Sequence, residues 1–252
     1  MLQRTDLIEK KMETILEKHG KLALKIKNST LNAGRYSFQV KSERKIHREV
    51  ISKLNIINKD KCLDVGCNVG ANLIPISKKV KHITGIDQIN CIEILRNKIK
   101  SKNVTLISGN FLDHDFKKNK YDKIIIYSVL HVLKNKKEAY FAINKALKLL
   151  NPGGKILIGD LPNISLKNKF TSSKSGKLFL KNWNKNKKTK KDIEAQNMLV
   201  KDPNCNLIIN DLFIINLVSY LRKKGLSVFI LPQNKDLPFG HTREDIVIEL
   251  ID

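Results

Sequence analysis

Apolar positions recur along this chain with two different periods. Leu7, Ile8, Lys11, Met12, Ile15, Leu16, His19, Leu22, Ala23 and Ile26, almost all of them apolar, sustain the spacing of one helix face. Asp6 and Glu9 stand where a helix-start box would open it. A second helical stripe begins near Ser42, with Ile46, Val50, Ile51, Leu54 and Ile57 inward. Residues 28–38, with Asn32, Gly34, Arg35 and Tyr36, read as a solvated loop between them; Arg35 and Tyr36 double as candidate substrate contacts. Beyond Asp60 the pattern changes. Short apolar runs at 62–65, 82–87, 104–108, 121–127 and 155–160 alternate with helical stretches at 71–79, from Asn90, at 137–150 and from Asp211. That alternation predicts an α/β fold with a largely parallel sheet. Residues 227–231 and 245–250 are two closing strands. Residues 162–205 are lysine-rich and least regular, with Thr171 to Gly176 as a flexible loop and Ile193 to Leu199 as a short helix.

The turn after the first strand carries the chemistry. Lys61-Cys-Leu-Asp-Val-Gly-Cys-Asn-Val-Gly70 is a buried strand, then a glycine-punctuated turn, then a helix opening. Such a turn lets backbone N–H groups and the positive helix end approach a ligand. A dinucleotide fingerprint needs glycine near positions 66, 68 and 71, where this chain has Gly66, Asn68 and Ala71. A phosphate-cradling Gly-Lys-Ser/Thr is absent. Asp87 ends the second strand 21 residues beyond Gly66, where a Rossmann-type fold brings a carboxylate to ribose hydroxyls. A turn aspartate is the alternative for that position.

The motif Asp64-x-Gly66-x-x-x-Gly70, the run Tyr121-Asp122 to Val129-Leu130-His131, and Leu150-Asn-Pro-Gly-Gly-Lys-Ile-Leu-Ile158 together resemble the class I, Rossmann-like methyltransferases that use S-adenosylmethionine (SAM). The resemblance implies a seven-stranded sheet of order 3-2-1-4-5-7-6, the last strand antiparallel, with helices on both faces. It implies a SAM site in the loop Asp64, Gly66, Cys67, Asn68 and Gly70, where Asn68 replaces the usual middle glycine and tolerates left-handed φ. It also implies an adenine acceptor after the third strand: Asn110, with Phe111 packing on the ring and Asp113 as a rival. Tyr127 would orient the methyl group or the substrate. Residues 1–58 then form a helical cap and 59–252 the methyltransferase domain, with a basic insertion at about 162–205. The ending Leu237-Pro-Phe-Gly-His-Thr-Arg-Glu-Asp245 is similar to methyltransferases acting on sugars in bacterial surface-glycan synthesis.

Composition changes this picture only at the edges. The formal charge of +24 invites a nucleic-acid partner, yet 41 Lys against 7 Arg is what an AT-rich coding bias produces. The four cysteines have no metal-ligand spacing, so no metal site is expected, and read as buried thiols of a cytoplasmic protein. No apolar run reaches membrane-spanning length.

Methyl transfer to a hydroxyl needs a base. Asp160, His131 and His241 are the candidates at strand ends and in the last loop, and Arg243 is a candidate clamp for an anion or a surface partner of Glu244 or Asp245. The expected activity is methylation of a small molecule, O-methylation of a sugar or nucleotide-sugar being its narrower form. An RNA methyltransferase is the runner-up, with Trp183 among Lys181, Lys185, Lys187, Lys188, Lys190 and Lys191 as its RNA contact. A non-catalytic SAM-binding subunit is the third reading.

Overall fold

The computed structural model describes residues 14–200 and 207–251. The predicted helix start at Asp6 and Glu9, the first part of the apolar stripe, and Cys205 lie outside them. Four helices precede the sheet: α1 (Ile15–Lys25), α2 (Ser29–Asn32), α3 (Val40–Glu43) and α4 (Ile46–Leu54). Helix α1 begins at a reciprocal cap in which the Thr14 side chain accepts from Glu17 N–H and the Glu17 carboxylate accepts from Thr14 N–H.

The chain then alternates strand and helix: β1 (Lys61–Val65), α5 (Leu73–Ser77), β2 (His82–Asp87), α6 (Ile89–Lys98), β3 (Val104–Ser108), β4 (Tyr121–Tyr127), α7 (Lys136–Lys148) and β5 (Leu150–Pro162). Helices α8 (Ile164–Ser172), α9 (Lys174–Asn184), α10 (Lys190–Met198) and α11 (Asp211–Arg222) follow, and β6 (Ser227–Pro232) and β7 (Arg243–Glu249) close the sheet. Its order is β3-β2-β1-β4-β5-β7-β6, with β7 antiparallel to both neighbours, as the sequence implied.

Alternation along each strand divides the core in two. Leu63, Val65, Ile124, Ile126, Ile156, Ile158, Ile246 and Ile248 pack on one face with α7 and α11. Cys62, Ile125, Leu157 and Val247 pack on the other with α4, α5 and α6. The chain leaves β3 at one edge and re-enters as β4 beside and parallel to β1, so the side on which successive strands are added switches between β1 and β4. A crevice opens there, at the carboxyl ends of the strands.

Three expectations are corrected. Thr171 to Gly176 is not a flexible loop but the joint between α8 and α9. Ser173 Oγ accepts from Gly176 N–H at 3.0 Å, and the hydroxyls of Thr171 and Ser172 donate to carbonyls one turn back. The serines act as caps, and a Cβ on the buried Gly176 would overlap the Phe170 carbonyl. Helix α6 starts after Gln88, not at Asn90: the Gln88 carbonyl accepts the first helical bond, from Ile92 N–H at 3.0 Å. Arg35 is no solvated loop residue: it is 3% exposed.

The insertion does not stand apart from the N-terminal helices. Ala195 of α10 packs with Leu22, Ile26 and Leu31 of α1, α2 and the turn between them. Among the described residues, no helix is long and apolar enough to cross a membrane.

Candidate functional site: a cleft at the strand ends

The loop after β1 turns on three left-handed residues, Gly66 (φ +72°), Asn68 (φ +47°) and Gly70 (φ +89°). A Cβ on Gly66 would overlap Val129, so glycine is required for space as well as conformation. Asn68, with its short amide, tolerates the middle position. Its Nδ2 donates to the Asn32 carbonyl at 3.0 Å and joins the loop to the helical cap. Cys67 lines the cleft while its side chain packs into the core under the loop. The loop is clasped from β2: Asp87 Oδ2 accepts from Asn68 N–H at 2.7 Å.

Asp64, Asp87, Asn110, Phe111 and Tyr127 all line one cleft with this loop. Asp64 is 2% exposed, and its Oδ2 has no hydrogen-bond partner. Burial, and then the nearby Asp87 charge, push its carboxyl up to about 8. Burial also raises Asp87, against the lowering effect of its two backbone hydrogen bonds. Asn110 Oδ1 accepts from Leu112 N–H, while its amide donates to the exposed Asp113 at 2.9 Å. Asn110 and Asp113 thus form one turn, of which Asn110 faces the cleft. Phe111 is buried, its ring 5.6 Å from Phe116. The Tyr127 hydroxyl accepts from Gln233 Nε2 at 2.8 Å.

Two cleft residues escaped sequence reasoning. His19, on α1, gave no signal beyond its place in the apolar stripe. Its Nδ1 lies 2.8 Å from the Asn32 carbonyl, so Nδ1 carries the proton and Nε2 is left as an acceptor. Burial lowers its pKa. Ser128 follows the fourth strand with φ +60° and donates to Asp160, itself at φ +60° on the neighbouring strand.

Asp160 joins the cleft to what lies behind it. Its Oδ2 takes Ser128 and Arg35 Nη2 (3.1 Å), and its Oδ1 faces Gln233 Nε2 (3.5 Å) and Arg243 Nε (3.4 Å). Burial alone would raise this carboxyl; Arg243, Arg35, the Ser128 hydrogen bond and His131 together outweigh it and hold it below the usual carboxylate range. Arg243 therefore pairs with Asp160, while its neighbour Asp245 pairs with Lys53 at 2.8 Å. Arg35 lines the cleft and Arg243 lines a second cavity, walled by rings that include Tyr36, Phe170, Trp183 and His241. His131 lies in the 3₁₀ turn Leu130–Val132, half-buried, and lowers the Asp160 pKa without lining either cavity. Trp183 is half-buried, packed against Phe38 (4.8 Å) and Phe239 (5.6 Å), and lines the second cavity.

Residues 62–154 match the family model for a methyltransferase domain. That segment runs from β1 into β5 and includes the glycine loop, Asp87 and Asn110. Demethylmenaquinone methyltransferases of Staphylococcus saprophyticus and Staphylococcus aureus are 30% identical to this chain over 116 and 115 residues, 44% of its length. The chain spans about half the length of these curated relatives, 48% and 46%. The N-methyltransferase NodS of Bradyrhizobium japonicum, solved with S-adenosylhomocysteine, superposes with a TM-score of 0.57 at 14% identity over 93% of this chain and 99% of that one. The plantazolicin methyltransferase BamL, solved with a triazolic desmethylPZN analog and S-adenosylhomocysteine, gives 0.61 at 16% over 94% and 98%. At these identities the likeness is one of fold.

The cleft of the methyltransferase domain fits SAM on its own chemistry. An unpartnered buried carboxylate oxygen beside a second carboxylate suits a ligand bearing positive charge and N–H or O–H donors.

Proposed function

We propose that this protein transfers a methyl group from SAM to a small-molecule acceptor. The observation that carries the proposal is the pair of cavities sharing the Arg35–Asp160–Arg243 bridge, one suited to the cofactor and one open to an acceptor. SAM supplies an electrophilic methyl on a sulfonium, whose departing thioether takes the electrons of the broken C–S bond. The chain's part is to hold both partners in line and to take a proton from a hydroxyl acceptor.

Asp64, Asp87 and the Gly66–Gly70 loop hold the cofactor, with Asn110 and Phe111 at its adenine end and Tyr127 on the floor of the cleft. His241 is the base. It lines the acceptor cavity, and burial and then Lys235 lower its pKa, so it is neutral at pH 7. Asp160, saturated by donors and held ionised, is a positioning residue for Arg35, Ser128 and Arg243; His131 adds to the field around it. A sugar or nucleotide-sugar is the narrower form of the acceptor. A cytoplasmic setting fits the buried free thiols Cys62, Cys67 and Cys91.

The test is to incubate the protein with SAM and, separately, nucleotide sugars, aromatic acids and tRNA, reading products by mass spectrometry. Methylation of a small molecule is expected, with His241→Gln lowering kcat about 10²-fold and leaving S-adenosylhomocysteine affinity unchanged. Methylation confined to tRNA would replace the proposal with an RNA methyltransferase. Cofactor binding without transfer to any acceptor class would point to the non-catalytic subunit.

A further inference from the structure

Six rings wall the second cavity: Tyr36, Phe170, Phe179, Trp183, Phe239 and His241. They come from three distant segments, the loop after α2, helices α8 and α9, and the turn before β7. Phe170 and His241 lie face to face, centroids 4.6 Å apart and planes within 2°. Phe179 stands 5.8 Å from Trp183 at 30°, and Trp183 stands 5.9 Å from Tyr36. The charged side chains that line the cavity have one sign, with the carboxylates of Asp160, Asp211 and Glu244 set behind the wall. Lys167 and Arg243 line it, and no Asp or Glu does so among the described residues. Lys188 Nζ stands 5.3 Å from the Tyr36 centroid, and the Arg243 guanidinium 5.2 Å from that of Phe239. Arg243 is paired with Asp160, which also holds Arg35, and Arg35 has a second carboxylate in Glu43 at 3.9 Å; among the lining residues Lys167 is the cation whose charge faces the cavity at an exposed position.

We propose that this cavity is the acceptor site and takes a small planar aromatic anion, a flat ring carrying a carboxylate or a phosphate. The assignment rests on the methyl-transfer reading above. Flat rings gain from offset or edge contact with aromatic walls. A cationic ligand would compete for ring faces that Lys188 and Arg243 already cover, and would meet their charge. An anion meets the opposite field. A free neutral sugar uses neither the charge nor a ring of its own, whereas a nucleotide-linked sugar uses both. The ring-bearing anion therefore has two sources, an aromatic acid or a nucleotide.

Trp183 is the single tryptophan of the chain and lines this cavity, so its fluorescence reports occupancy there. Four probes are titrated into the protein with S-adenosylhomocysteine present: 4-hydroxybenzoate, uridine diphosphate glucose, phenol and glucose 1-phosphate. One or both ring-bearing anions should change the emission saturably and bind at least about tenfold more tightly than phenol or glucose 1-phosphate. Whichever of the two binds better identifies the source. Lys167→Gln, at an exposed position, should weaken the ring-bearing anions several-fold and leave phenol unchanged. Equal affinity for phenol removes the charge requirement, equal affinity for glucose 1-phosphate removes the ring, and no saturable change removes the site. Calorimetry with S-adenosylhomocysteine on the same sample separates the two levels. Cofactor binding with a silent Trp183 sinks the acceptor assignment alone; absent cofactor binding sinks methyl transfer with it.

Discussion

Asp64 and Asp87 stand on adjacent strands, and the price of bringing two buried carboxylates together falls on the empty cleft. An unfolded aspartate titrates near 3.9, whereas Asp64 in the fold is pushed up to about 8. Between those values the folded state keeps a proton that the unfolded state has lost. Its contribution to stability therefore falls as pH rises through that window. Asp64→Asn keeps the shape and removes the titration. In cofactor-free protein its urea midpoint should exceed the parent's above pH 7, with the gap closing towards pH 4. Its affinity for S-adenosylhomocysteine should fall about tenfold or more, the loss of a charge-assisted hydrogen bond. Identical midpoints at every pH would show that Asp64 is not held protonated. Asp87 is different. Its oxygens hold the backbone of Asn68 and Gln88, so the acid expected only to meet ribose also shapes the loop.

At the scale of elements, helix α10 is fastened to the loop before α3 through one carboxylate. Asp192, 0% exposed, accepts from Ser37 N–H (2.6 Å), Ser37 Oγ (2.8 Å), Thr189 N–H (2.7 Å) and Thr189 Oγ1 (2.7 Å). Burial works to raise its pKa, but these donors outweigh it and leave the carboxyl below its usual value. The sign follows: this stability is complete above the unfolded pKa near 3.9 and is lost as pH falls through the lower folded value. Asp192→Ala should cost about 2 to 3 kcal/mol in urea unfolding at pH 7 and open the loop at residues 33–39 to limited proteolysis. The difference from the parent should close only in strong acid. An unchanged midpoint with an uncut loop would show that α10 is held by its apolar contacts with α1 instead. The clasp also matters for the site, because the same loop carries Arg35 to the cleft and Tyr36 to the second cavity.

For the whole molecule the open quantity is the charge of +24. Lys181, Lys185, Lys187, Lys188, Lys190 and Lys191 are all exposed, but the tryptophan beside them is packed among Tyr36, Phe38, Phe179 and Phe239. Single-strand binding draws on stacking as well as charge. Without a free ring, RNA should be held by counterion release alone, which falls by about 0.7 to 0.9 log units per phosphate contact for each tenfold rise in salt. Binding should be weak at low salt and absent at about 150 mM, with cofactor affinity nearly unchanged. Tight RNA binding at that salt, abolished by neutralising the six lysines, would overturn this and favour an RNA acceptor.

Local signals decided a great deal. The strands from Cys62 to Ile158 were readable because each is a short apolar run, most with a glycine or an acid at the end, and those ends carry the glycine loop, Asp87 and Asn110. Helix boundaries slipped where a side chain caps in an unexpected place, as Ser173 does between α8 and α9. What the sequence could not express is who meets whom. Tyr36, Trp183 and the pair His241 and Arg243 stood in separate parts of the chain, and a single cavity gathers them, Tyr36 lying 147 positions before Trp183 and Trp183 lying 58 before His241. Arg35 read as solvated because its neighbours are polar, yet Asp160, 125 positions away, makes its burial tolerable. Periodicity reports which face of an element is covered; only the closed sheet, with its crevice at the strand ends, determines which charges and rings share that cover.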